Sequence, residues 1–319
     1  MSPFQRLIGQ SQAVELLQQA IALDRIAPAY LFAGPSGTGR ALAAQCFSHQ
    51  LFCYGQPKDH DALIRQKLVD RNHPDFLWVQ PTYLHKGRTI SASEAADMGL
   101  KRKATPQIRL AQIREITQFL SRPPLEANRT VVVIEEAETM AEAAANGLLK
   151  TLEEPGKATL ILIASSRDAL LPTLTSRCQH IAFYRLPQQQ MAEVLHRCQA
   201  QTVLDYPELL RMAQGSPGQA IASWKQLQTI PEALHQRLSK RPQSAIEALT
   251  LAQAIAKELD TQAQLWLVDY LESLYWQQWQ GQECLTQLEK VRHYLSCYVQ
   301  PRLVWECTFL SLINADSRL

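Results

Sequence analysis

Residues 30–41 read Tyr30-Leu31-Phe32-Ala33-Gly34-Pro35-Ser36-Gly37-Thr38-Gly39-Arg40-Ala41. An apolar run, Tyr30–Phe32, leads into a turn carrying Gly34, Gly37 and Gly39, and a helical pattern, Arg40–Phe52, follows. Strand, glycine-rich turn and helix in that order are the setting of a phosphate-binding loop. Glycines let backbone N–H groups curl round an anion, and a helix N-terminus adds positive potential. A working loop also carries a Lys for the β- and γ-phosphates and a Ser or Thr hydroxyl for magnesium. Here those positions hold Arg40 and Ala41. Arginine keeps the charge but presents a broad planar fork instead of a compact ammonium. Ala41 has no oxygen for a metal. The glycines also allow close packing of strand on helix, so two readings stand: a loop kept for its fold, or one with residual ATP or ADP binding.

Working outward, further short apolar runs occur at Phe76–Val79, Thr130–Ile134, Thr159–Ala164 and His180–Phe183. They lack polar alternation, which suits strands buried on both faces. Helical patterns separate them at Ser11–Ile26, Leu110–Leu120 and Met140–Leu152. This alternation predicts an α/β domain with a mostly parallel sheet. The run Thr130–Ile134 ends in Glu135-Glu136-Ala137-Glu138, where a P-loop ATPase places its magnesium and water-positioning acids. Glu135 stands in for the usual Asp, one methylene longer. After Pro187 the character changes: only Gly215, Gly218 and Gly281 of twelve glycines lie beyond it, and helical spacing continues to the end. Three short helices (Gln188–Ala200, Pro207–Gln214, Gly218–Leu227) and then about five longer ones are expected.

Composition sets the class. The 319 residues are 46% hydrophobic and 19% charged, which supports real cores and argues against wholesale disorder. A net charge of +2 is too balanced to imply a nucleic-acid-coated surface by itself. No apolar run is long enough for a transmembrane helix, and the N-terminal residues do not read as a signal peptide. The seven cysteines (46, 53, 178, 198, 284, 297, 307) form no CxxC pair and suggest no disulfide framework. A cytoplasmic protein is the expectation.

With these residues in view, the chain resembles the clamp-loader branch of the AAA+ ATPases. The resemblance is carried by Ile8-Gly9-Gln10, Arg25–Arg40, His73-Pro74-Asp75-Phe76, Val131–Pro155 (VVVIEEAETMAEAAANGLLKTLEEP), Leu171-Pro172, Ser176-Arg177-Cys178 and Gly215-Ser216-Pro217-Gly218. It covers about residues 4–225; the last third matches only in size and helical character. It implies an AAA+ P-loop core with a five-stranded parallel sheet at 1–186, a small helical lid at 187–226 and an all-helical collar at 227–319. Members form open rings in which each ATP lies between two subunits, and load a sliding clamp onto primed DNA. The SRC arginine, Arg177, matches the residue that reaches a neighbour's ATP as a trans arginine finger. The lid arginine of active members is matched by Gly218. The cis site has thus lost its Lys, hydroxyl, Asp and lid arginine while the trans residue remains. That implies a non-hydrolysing subunit among other clamp-loader subunits. The alternatives are an ATP-hydrolysing clamp-loader subunit and, from another class, a small-molecule P-loop kinase.

Remaining features have plainer readings. The family commonly has a four-cysteine zinc module before the HPD segment, but residues 56–71 contain no cysteine. Cys46, Cys53, His49, His60 and His73 have the wrong spacing, so no metal is expected. Ser165 and Ser166 either occupy a nucleotide-sensor position or are ordinary strand-end hydroxyls. The stretch 81–106, with His85, Lys86, Arg88, Lys101, Arg102 and Lys103, reads as an exposed insertion, either solvated or touching DNA phosphates or a partner. Trp266, Tyr270, Tyr275, Trp276 and Trp279 read as core or inter-subunit packing, because a base-stacking platform would interleave basic residues.

Overall fold

Successive side chains of a strand point to opposite faces, so a strand apolar at every position needs cover on both sides. The computed structural model, described for residues 3–55, 58–85, 87–91, 94, 105–154, 156–279, 282–297 and 299–316, provides it. Its strands are β1 (Ala29–Ala33), β2 (Phe76–Val79), β3 (Tyr83–His85), β4 (Arg88–Ile90), β5 (Thr130–Ile134), β6 (Ala158–Ala164) and β7 (Gln179–Ala182). Five of them form one parallel sheet in the order β2–β5–β6–β1–β7. Tyr30, Phe32, Val131, Val133, Ile161 and Ile163 face one layer with Leu17, Phe47 and Phe52, from helices Ser11–Ala22 and Arg40–Cys53. Leu31, Val132, Ile134, Leu160 and Leu162 face the other with Ile113, Ile116 and Leu148, from helices Leu110–Leu120 and Glu142–Glu153. The expected α/β core and five-stranded parallel sheet are present.

Two local departures have clear causes. The first helix stops at Ala22, not Ile26. Asp24 adopts a left-handed φ of 49°, its N–H donates to Ile21 O, and Arg25 N–H donates to Ala20 O at 2.8 Å. This is a Schellman stop, and apolar spacing alone cannot reveal it because Ile26 still packs against the core beyond the turn. Inside the stretch 81–106, β3 and β4 pair as an antiparallel hairpin. Three-residue strands are too short to declare a period. Lys86, Lys101, Arg102 and Lys103 lie outside the described residues.

The chain divides into two compact units, Met1–Gln190 and Met191–Leu319. The second is helical: beyond Pro207–Ala213 and Pro217–Gln228 come Glu232–Leu238, Ala245–Glu258, Thr261–Trp279, Gln282–Ser296 and Pro301–Asp316. Tyr270, Tyr275, Trp305 and Phe309 are buried, and Trp266 stacks on Tyr270 with ring centroids 5.4 Å apart. Among the buried polar tips, Tyr275 OH donates to Leu238 O and Trp305 Nε1 to Gln264 Oε1, while Trp266 Nε1 is buried without a hydrogen-bond partner among the described residues. Trp276 is exposed. Among the described residues no helix is long and apolar enough to cross a membrane.

Candidate functional site

The glycine loop leaves the C-terminal end of β1 and enters helix Arg40–Cys53. At Gly34 an added Cβ would stand 2.2 Å from Phe183 O, so only glycine fits against the segment leaving β7. Gly37 has a φ of 75°, and Gly39, the helix N-cap, has a φ of 99°. The loop is held from outside by Gln10, which is 3% exposed. Its amide nitrogen donates to Thr38 O and Tyr184 O, and its oxygen accepts from Tyr184 N–H. That pinning role is not visible in sequence, where Gln10 is only part of a motif.

Arg40 does not project freely. Its guanidinium donates to Ala164 O at the end of β6. Burial lowers its pKa, and the carboxylates of Glu138, Glu135 and Glu136 pull it back up. Ala41 packs against the hydrophobic core. The Glu135 carboxylate accepts from Trp78 Nε1 at 2.9 Å and from Gln80 Nε2 at 2.7 Å, so its nearest donors belong to β2 and the residue after it. Glu136 sits in the left-handed region at φ 49°; partial burial and then Glu135 and Glu138 push its carboxyl pKa upward. Glu138 accepts from Ser165 N–H at 3.0 Å, while its second oxygen is buried without a hydrogen-bond partner. Thus Gly34, Gly37, Gly39, Arg40, Glu135, Glu136, Glu138 and Ser165 lie along the C-terminal edge of the sheet. At the Ser165 position the backbone amide engages Glu138.

Arg177 lies at the other edge. It precedes Gln179, which pairs with Tyr30 near the start of β1, whereas the loop follows Ala33 at the end. The strand between them spans roughly 10 Å or more. Lying just before the run His180–Phe183, Arg177 is expected from sequence to project from strand ends that face a nucleotide crevice in α/β folds; the structure places it at the amino end of the strands instead, away from its own loop. Arg177 Nη2 donates to Glu153 Oε1 at 2.8 Å and Nη1 to Thr173 O at 2.9 Å. Beside it, burial pushes the Cys178 thiol up to about 11, so it stays protonated at neutral pH.

Other motif residues build the frame. Asp75 of the HPD segment is buried and accepts backbone N–H bonds from Leu125, Glu126 and Ala127, tying that loop to β2. His73 is buried, stacks on Phe52 at 4.4 Å, and accepts from Asp75 N–H through Nδ1. His49, Cys53 and Asp61 bring donor atoms within 4.8 Å of one another. Burial and Asp61 push the Cys53 thiol up to about 12, keeping it protonated, while Cys46 donates to Pro3 O. Gly215 of the GSPG turn and Gln214 before it both have positive φ. Ser216 then caps helix Pro217–Gln228, accepting from Gln219 N–H, with Pro217 at the first helical position. Gly218 follows in the first turn.

Comparison with known proteins agrees along the chain. A family model described as "DNA polymerase III, delta subunit" matches residues 9–187. Another, "Cyanobacterial DNA polymerase III delta prime, C-terminal domain", matches residues 189–312. The delta′ subunit of Bacillus subtilis DNA polymerase III is 30% identical over 240 residues, covering 72% of this chain and 66% of that protein. That of Pseudomonas aeruginosa is 34% identical over 157 residues, covering 48% and 42%. The chain thus spans at most about two thirds of the length of these relatives. In fold it is similar to the crystal structure of a DNA polymerase III gamma subunit-related protein from Thermotoga maritima. The TM-score is 0.54 at 16% identity, over 93% of this chain and 98% of that one. With family models matched on both sides of residue 188, the chain belongs to the DNA polymerase III delta′ family.

Proposed function

We propose that this chain is a non-hydrolysing subunit of a clamp loader. It assists ATP-driven loading of a sliding clamp onto primed DNA by lending Arg177 to a neighbouring subunit's ATP. The observation that carries this reading is the separation of the two edges. The loop edge is occupied by the chain's own groups: Arg40 on Ala164 O, Glu135 on Trp78 and Gln80, and Glu138 on Ser165 N–H. Such a site does not fit magnesium–triphosphate turnover, since Ala41 offers no metal-ligating oxygen and Glu135 is engaged elsewhere. The arginine edge is exposed and faces away from that loop. An arginine finger there acts in trans, neutralising charge that builds on the γ-phosphate, an effect typically worth roughly 10³–10⁵ in rate.

In this reading the helices of 187–226 form a lid without its arginine, Gly218 standing in its place, and those of 227–319 carry most contacts to other loader subunits. The protein works in the cytoplasm as part of a hetero-oligomer. Two measurements test it. The isolated chain is expected to turn over no ATP above background; robust turnover would make it an ATP-hydrolysing loader subunit instead. In a reconstituted loader at matched assembly, Arg177→Ala is expected to cut DNA-stimulated ATPase and clamp loading by at least tenfold. Arg177→Lys should rescue poorly, because a point charge does not reproduce a bidentate fork. Unchanged loading with Arg177→Ala would rule the trans role out.

A further inference from the structure

Both terminal nitrogens of Arg177 are engaged, one by the Glu153 carboxylate and one by Thr173 O. Glu153 is the last residue of helix Glu142–Glu153, and Glu154 follows it. A helix C-terminus carries partial negative charge from its unpaired carbonyls, so a carboxylate there is disfavoured by the helix itself. Its position makes sense with a cation against it, and Arg177 is that cation. The side chains of Arg177 and Glu153 are 39% and 53% exposed, so the pair lies in reach of an incoming ligand. Exposed ion pairs shift equilibria by no more than about fivefold. A triphosphate binds the same fork with charge-assisted, bidentate bonds. Until Glu153 gives way, its carboxylate repels that anion at short range.

We propose that Glu153 is a positioning residue that parks Arg177 at the sheet edge and yields it when a neighbouring subunit's nucleoside triphosphate arrives. The proposal rests on the trans-arginine reading and adds a cost to each engagement: parking raises the ATP concentration at which the finger docks. Removing the charge while keeping the shape should lower that concentration.

The experiment uses a loader reconstituted with wild-type chain, Glu153→Gln, Arg177→Ala or both, at matched assembly, with ATP as the titrant. Glu153→Gln is expected to lower the KM for ATP two- to fivefold with kcat within twofold. The shift should shrink as salt screens the carboxylate and vanish in the Arg177→Ala background. A purely structural Glu153 would change assembly or melting temperature and leave KM alone. If KM is unchanged or raised in Glu153→Gln while Arg177→Ala still slows the loader, parking is refuted and the finger stands. If Arg177→Ala has no effect, the trans reading fails and parking falls with it.

Discussion

A methyl group at Gly34 would collide with the carbonyl oxygen of Phe183, an atom of the backbone that cannot rotate away. Gly34→Ala is therefore expected to destabilise the first unit by about 1–3 kcal/mol, read as a lower urea midpoint. Replacing Arg40 and Ala41 by Lys and Thr restores the residue types of a working loop but leaves Glu135 on Trp78 and Gln80. That double variant is expected to remain without ATP turnover in a coupled assay. His73 gives a pH dependence with a definite sign. Burial lowers its pKa, against the raising pull of Glu126 and Asp75, so the unfolded chain takes up the proton more readily. The stability held by neutral His73 is complete above the unfolded value of about 6.5 and is lost as pH falls through the folded one. Denaturation midpoints should drop between pH 7 and pH 5, and His73→Asn should reduce that slope. At this scale the altered residues of the loop were legible in the sequence, because a missing hydroxyl or lysine is a matter of identity. The partners of Gln10, Asp75 and Glu138 were not, because each bonds atoms that only folding brings near.

Elements were legible where their period was long enough to count. Thr130–Ile134 announces a doubly covered strand by having no polar residue after the first, and the structure buries all five positions. Leu110–Leu120 keeps its predicted start, where Gln112 Oε1 accepts the Arg109 N–H. The hairpin of β3 and β4 is too short to show a period, and the stop at Asp24 is written in backbone geometry. The GSPG turn shows how much one element boundary can hold. Ser216 is fully buried and caps helix Pro217–Gln228. Ser216→Ala is expected to cost about 0.5–2 kcal/mol, measurable by thermal melts, with folding otherwise intact.

Across the whole molecule, helix Pro207–Ala213 leans on helix Thr261–Trp279 within the second unit: Tyr270 OH and Ser273 Oγ both donate to Glu208, to its carboxylate and its carbonyl. A chain ending at Gln228 loses both donors. It is expected to show less helix by circular dichroism than residues 191–228 would contribute, and early proteolysis there, whereas a chain ending near Gln190 keeps its sheet. Composition marks a change near Pro187, because glycine and β-branched runs thin out there; the packing of helix on helix beyond it leaves no such trace. The placement of the loop and Arg177 at opposite ends of one sheet gives the protein a polarity. Two unlike ends cannot meet by a two-fold axis, so any assembly through them runs head to tail. In a second copy placed head to tail, Arg177 would face a loop whose Arg40 donates to Ala164 O and whose Ala41 offers no oxygen to a metal. On the proposed trans role, Arg177 acts only beside an unlike subunit that holds ATP, so copies of this chain alone would form no working row.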